Sequence, residues 1–264
     1  MRFVRGFLGH TEYEVKRPDS DSLLRLSSSA GDGKIYTAMY ELLCGGIKTI
    51  DGEAPDWNEI RKMPLVSAEV VVRDCFLPYK VNTNIDYIAN CVVSGCREKP
   101  IKGSIDFMDI PIIFSDDEEP YLHEFADEDD HVVITGNGKE VLRIISETFR
   151  DPTIGDFIDC EKDGTLHDKL RFLKKIILKC LVDIDGFAPA EEKLDFAEIK
   201  KRYAYELIKF PNSMDINRIQ RKLRTYGLQP KVEFVGQCGT KDFTRIEIDD
   251  FFASALRQIS EGLN

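Results

Sequence analysis

The sequence predicts an α+β protein made of two related units, each with β-hairpins flanking a helical segment. Three observations predict it. Apolar residues recur at helical spacing twice: Ile35, Ala38, Met39, Leu42 and Leu43, then Leu170, Leu173, Ile176, Ile177, Cys180 and Leu181. Short runs that read as hairpin strands are separated by turn signals containing glycine, asparagine or proline. One run also occurs twice in the same relative place. Asp56-Trp57-Asn58-Glu59-Ile60-Arg61-Lys62 and Asp195-Phe196-Ala197-Glu198-Ile199-Lys200-Lys201 both read Asp, aromatic, any, Glu, Ile, basic, Lys.

The chain has 264 residues, enough for one large domain or two small ones. An acidic stretch at 115–130 divides it into a first unit at 1–114 and a second at 131–264. Like charges repel and apolar groups are few there, so a linker or surface loop is expected. Tyr121, Leu122 and Phe125 suggest that this loop packs locally.

The elements of the two units are expected to match in order. Glu14-Val15-Lys16 leads to Leu23-Leu24-Arg25-Leu26, as Val132-Val133-Ile134 leads to Val141-Leu142-Arg143-Ile144. Pro18-Asp19-Ser20 is the turn signal of the first pair, and Thr135-Gly136-Asn137-Gly138 that of the second. A helix follows in each, with Cys44 or Cys180 near its end. Ile50-Asp51-Gly52 and Ile184-Asp185-Gly186 then read as turns. The repeated acidic-aromatic run places Trp57 and Phe196 at equivalent buried positions.

Each unit closes with a hairpin. The first has strands at 87–93 and 101–107 around a turn at 95–100. The second has strands at 232–235 and 243–249 around 237–241. Both return strands end in Ile-Asp, at Ile105-Asp106 and Ile248-Asp249. Only the second unit has room for an extra helix, at about 213–224. A C-terminal helix from about Asp250 carries Phe251, Phe252, Leu256 and Ile259. Adjacent helical residues point about 100° apart. One phenylalanine therefore closes the second unit's core, and the other is a candidate partner contact.

Composition narrows the function classes. Hydrophobic residues make up 42% and charged residues 31%, a globular balance. The formal net charge of −11 argues against a phosphate-backbone binder, so nucleic acid is not an expected partner. No apolar run approaches the roughly 18–20 residues of a membrane span, so no membrane is expected either. Residues 1–9 carry Arg2 and Arg5 without an uninterrupted apolar stretch, a poor signal peptide. A soluble product made in the cytoplasm is expected. Seven cysteines is an odd count, which fits reduced thiols better than a disulfide framework.

The sequence offers no catalytic residue, no cofactor-binding residue and no metal ligand set. Ser28-Ser29-Ala30-Gly31-Asp32-Gly33-Lys34-Ile35 lacks the first glycine of a phosphate loop and the hydroxyl after its lysine. It reads as a loop opening the helix at Lys34. Asp183-Ile184-Asp185-Gly186 lacks the later ligands of a calcium loop. Cys91 and Cys96 are too few for structural zinc, and Cys238 stands in the matching turn of the second unit. His10, His123, His131 and His167 stand in no nucleophile or metalloprotease motif.

The order of motifs resembles a family of baseplate hub or tail-assembly proteins of contractile-tailed bacteriophages. Gly138-Lys139-Glu140-Val141-Leu142-Arg143 and Thr153-Ile154-Gly155-Asp156 match the family's opening segments. Asp185-Gly186, Asp195-Phe196 and Gln237-Cys238 match the later ones. The resemblance covers most of residues 130–260 and, more loosely, 11–110. Family hairpins often carry Cys-x-x-Cys pairs, which this chain lacks. The resemblance implies a non-enzymatic structural component of a tail baseplate, made in the host cytoplasm and located in the virion. Its implied partners are other tail or baseplate proteins in a multi-subunit symmetric assembly. Two alternatives stand beside this. One is a cytoplasmic tail-assembly chaperone for a tape-measure or hub protein, absent from the mature virion. The other is a metal-binding regulatory module.

Overall fold

A computed structural model describes residues 2–5, 12–76, 82–93, 100–113, 122–126, 132–136, 138–162, 169–188, 192–209, 227–246 and 248–261. The fold is α+β, with helices and small antiparallel sheets. Two compact units divide the chain: residues 1–61, 66–116 and 226–264 form unit 1, and residues 62–65 and 117–225 form unit 2. The division differs from the expected one at the C-terminal end. Residues 226–264 belong with unit 1, because the last helix packs on its helices.

Unit 1 begins with strands β1 (Arg2–Arg5) and β2 (Glu12–Val15), followed by helices α1 (Ser20–Gly31) and α2 (Ile35–Gly46). Strand β3 (Ile47–Ile50) returns antiparallel to the other side of β2. Pro18-Asp19-Ser20 does not turn a hairpin. The Asp19 carboxylate accepts the Ser22 N–H at 2.8 Å and caps α1. The run Leu23-Leu24-Arg25-Leu26 is therefore helical, whereas Val141-Leu142-Arg143-Ile144 is strand, and that pairing of the two units fails. Leu23, Leu26 and Ala30 form the buried stripe of α1. Ser28-Ser29-Ala30-Gly31 is the last turn of α1 rather than a loop.

Asp51 and Gly52 both have positive φ, 51° and 88°. That pairing suits a tight turn matching the strand twist. Ile50 and Glu53 close it with reciprocal backbone bonds of 2.8 and 3.0 Å.

The twice-occurring run starts a helix each time, α3 (Trp57–Lys62) and α7 (Phe196–Lys209). The Asp195 carboxylate accepts the Glu198 N–H at 2.8 Å. The Glu59 carboxylate reaches back to the Asp56 N–H at 2.9 Å, half of a capping box. The shared buried residue is the isoleucine, Ile60 or Ile199, and both are fully enclosed. The aromatics are not buried as expected. Trp57 is 53% exposed, and Phe196 is half-buried beneath the Lys200 ammonium, 4.8 Å from the ring centre. A first helical position points out over the cap, so an aromatic there need not reach the core. Trp57→Ala is expected to change stability by less than about 1 kcal/mol. Ile60→Ala is expected to cost about 2–5 kcal/mol. Urea midpoints of the two variants check this.

Helix α4 (Leu65–Phe76) follows, so the first half of the chain does hold a second helix after the repeated run. The expectation of no room there was wrong, because β-branched Val66, Val70, Val71 and Val72 hid the helical period. The extra helix expected at 213–224 lies outside the described residues.

Strands β4 (Asn84–Ala89) and β5 (Ile101–Asp106) make the first closing hairpin. Asp106 then caps a 3-10 turn at Phe107–Asp109 by accepting the Met108 N–H at 2.9 Å. Strand β6 (Ile112–Ile113) pairs with a strand from much later in the chain, Gly227–Leu228. The second closing hairpin also lies in unit 1, with strands Lys231–Val235 and Lys241–Arg245. Its return strand ends at Arg245, and Ile248-Asp249 opens the last helix, Ile248–Glu261, instead of ending the strand. Both Phe251 and Phe252 are core residues there. Phe107 stacks on Phe251 at 4.0 Å and meets Phe252 edge-on at 5.3 Å. Neither is the expected partner contact, and neither serves the second unit.

Unit 2 holds a five-stranded antiparallel sheet of β7 (Leu122–Ala126), β8 (Val132–Gly136), β9 (Lys139–Arg150), β10 (Leu181–Ala188) and β11 (Glu192–Leu194). The long strand β9 pairs with β10 along one edge. Its other edge takes β8 along the first half and β7 along the second. Leu122–Ala126 is thus a sheet strand inside the segment expected to be a linker or loop. The rest of 115–130 lies outside the described residues, apart from those five. Gly138, with φ 78°, stands in the β8–β9 turn as its sequence signalled. Ile184-Asp185-Gly186 lies within β10, with a register shift at Asp185/Gly186, so it is not a turn.

Helices α5 (Ile154–Lys162) and α6 (Lys169–Cys180) join β9 to β10. The order strand, helix, helix, strand therefore occurs in both units. Val15 pairs with Ile47 as Phe149 pairs with Leu181, and Tyr13 pairs with Ile50 as Glu147 pairs with Ile184. All four correspondences share one constant offset, and a register shift falls beside the first pair each time. The remaining elements of the chain are β12 (Gly227–Leu228), β13 (Lys231–Val235), β14 (Lys241–Arg245) and α8 (Ile248–Glu261).

Candidate interaction surface

The two closing hairpins meet within unit 1. Ala89 and Cys91 pack on Phe234 of β13, with Tyr87 and Ile101 partly covering them. Gly103 makes this possible, since a Cβ there would stand 2.5 Å from the Tyr87 ring. Strand alternation sends the other side chains outward. β14 runs beside β4, and the Val92 N–H donates to Asp242 Oδ2 at 3.3 Å.

The outward strand positions include Ile88, Val235 and Phe243, all exposed, with Phe243 62% exposed; Val92 and Val93, exposed as well, follow the end of β4. Val235 stands opposite Lys241, and Phe243 opposite Glu233, so the two apolar residues are diagonal neighbours on one face. Lys241 and Glu233 bridge the same ladder at 2.9 Å. An apolar pair edged by an ion pair suits a protein partner: the apolar part supplies burial, and the charges set orientation. The sequence predicts strands here without marking these residues as a surface. The available signal was an aromatic at an outward position of an alternating strand.

The cysteines fall into two kinds. Burial pushes the Cys44 thiol up to about 12 and raises the Cys180 thiol as well. Both stay protonated at neutral pH and behave as small apolar residues. Cys91 is 1% exposed but touches exposed Cys238, Sγ to Sγ 3.5 Å. Cys96 lies outside the described residues, as do His10, His131 and His167, while His123 falls on β7. Among the described residues no three His, Cys, Asp or Glu gather as a metal-holding group.

The family-like motif Thr153-Ile154-Gly155-Asp156 forms the start of α5. Asp156 accepts the Thr153 N–H and hydroxyl, each at 2.9 Å, and takes a two-pronged bond from Arg150 at 2.7 and 3.0 Å. Burial pushes the Asp156 carboxyl up, but the Arg150 and Thr153 hydrogen bonds outweigh it and hold it below the usual value. Every group in this cluster is used in capping the helix and clamping the strand end. Among the described residues no helix is long and apolar enough to cross a membrane. No family model matches the chain, and no solved structure matches it.

Proposed function

We propose that this protein is a non-enzymatic structural component of a bacteriophage tail baseplate, acting through protein–protein interfaces. The observation that supports association is the exposed apolar pair of Phe243 and Val235 on the outward face of the second closing hairpin. The baseplate setting rests on the order of motifs that resembles the tail-assembly family. A chain of charge −11 repels its own kind at long range, so lasting assembly needs a burial contribution that salt does not screen.

Phe243→Ser tests the surface. It is expected to weaken binding to the neighbouring tail protein about 30-fold or more, the loss of one aromatic anchor. The melting midpoint should stay within about 2 °C, because the side chain is exposed. Co-purification of the variant at undiminished yield would count against the surface. Composition analysis of purified virions tests the setting. A stoichiometric band supports the structural role; absence from virions that need the protein for assembly supports the chaperone reading instead.

A further inference from the structure

We propose that Cys91 and Cys238 form a reversible disulfide that staples the two closing hairpins together. The inference does not depend on which proteins the surface binds. Three observations carry it. The two sulfurs are already in contact at 3.5 Å, and a disulfide needs them about 1.5 Å closer. That separation is the spacing of reacting atoms poised for attack. The backbone is cut to fit: a Cβ on Gly236 would stand 2.9 Å from the Cys91 sulfur and 3.2 Å from that of Cys238. The approach is also braced. Gly236 N–H donates to the Thr240 carbonyl, and Gly239 N–H to that of Gly236, each at 2.8 Å, while Val92 N–H holds Asp242.

The asymmetry of the pair defines the chemistry. Cys238 is exposed on its turn and Cys91 is buried beneath it. Of these two thiols, a small disulfide such as oxidised glutathione reaches Cys238. The Cys238 thiolate attacks it, forms a mixed disulfide and expels one glutathione thiolate. The Cys91 thiolate then attacks the Cys238 sulfur and expels the second. Two protein thiols are oxidised, one glutathione disulfide is reduced to two thiols, and the two protons lost by the cysteines pass to the leaving groups. Cys91 and Cys238 are 147 positions apart, so the bond closes a long loop. Long loops give the larger entropic constraint on the unfolded chain.

The full-length reduced chain is incubated with oxidised glutathione, alkylated, digested and mapped by mass spectrometry. The expected product is a peptide joining Cys91 to Cys238, with two of the seven thiols lost. The melting midpoint should rise by about 5–10 °C and fall back on adding dithiothreitol. Cys238→Ser, an exposed change that leaves folding alone, should abolish both effects. Gly236→Ala should slow closure about 10-fold or more by wedging the sulfurs apart. A lasting glutathione adduct on Cys238, a bond from Cys238 to Cys96, or an unchanged thiol count would overturn the pairing. A Cys91–Cys238 bond that leaves the midpoint unmoved would overturn the staple.

Discussion

Phe252→Ala is expected to remove about 3–5 kcal/mol from the stability of unit 1. Phe252 is 1% exposed and meets Phe107 edge-on at 5.3 Å, while Phe251 stacks on the same ring at 4.0 Å. Truncation leaves a ring-sized void beside the two remaining aromatics, Phe107 and Phe251. Rigid rings close such voids poorly, so little of the loss is recovered. A domain is stable by only about 5–15 kcal/mol, so one side chain here is a large fraction. The melting midpoint should drop by about 10 °C. Amides of α1 should lose hydrogen-exchange protection with those of α8, since α8 packs on α1. A drop of less than about 2 °C would show that α8 is not part of this core. Deleting residues 250–264 should therefore unfold unit 1 rather than trim a docking arm from it.

The sequence made the fold class legible because two periods survive inspection. The apolar spacing of α2 and α6 is helical throughout, and both helices end where a strand begins. Helices α1 and α5 were missed for a physical reason. Their signals are polar and local: Asp19 capping Ser22, and Thr153 with Asp156 capping α5. A capping residue resembles a turn residue, because the same short side chain bonds nearby backbone in both. Pro18-Asp19-Ser20 gives the start of α1 the look of a turn.

The surface was the least legible part, and the error was symmetrical. Adjacent helical positions predict one core residue and one contact for Phe251 and Phe252, yet α8 buries both, and both rings meet Phe107. The equivalent aromatic at Phe196 predicts a core position for Trp57, which is instead exposed. The repetition was real, but what it preserves is the cap at Asp56 or Asp195 and the isoleucine beneath it. Shared position in a repeat shows shared backbone geometry. It does not show burial, which depends on what lies opposite.

Asp156→Ala is expected to cost about 2–4 kcal/mol, a little less than a fully buried pair because Arg150 keeps 32% of its side chain in water. Arg150 ends β9, donates to the Asp151 carbonyl at 2.9 Å and reaches the Lys179 carbonyl near the end of α6 at 3.1 Å. A cation there also suits the negative end of that helix. Removing Asp156 leaves this guanidinium without its counter-charge and takes away the half of the α5 capping box that holds the Thr153 N–H and hydroxyl. The contribution carries a pH signature. Burial raises the Asp156 carboxyl, but the Arg150 and Thr153 bonds more than reverse it and hold the folded value below that of an ordinary carboxylate. A group depressed in the folded state stabilises it above its unfolded value, and that stabilisation is lost as pH falls through the folded value. The window is therefore below about pH 4. Asp156→Asn keeps the shape and cannot ionise. The gap in urea midpoint between the native chain and Asp156→Asn should be widest near pH 7 and narrow as the pH drops below about 3. A gap of the same size at both ends would mean that the carboxylate charge contributes nothing and that only its shape matters.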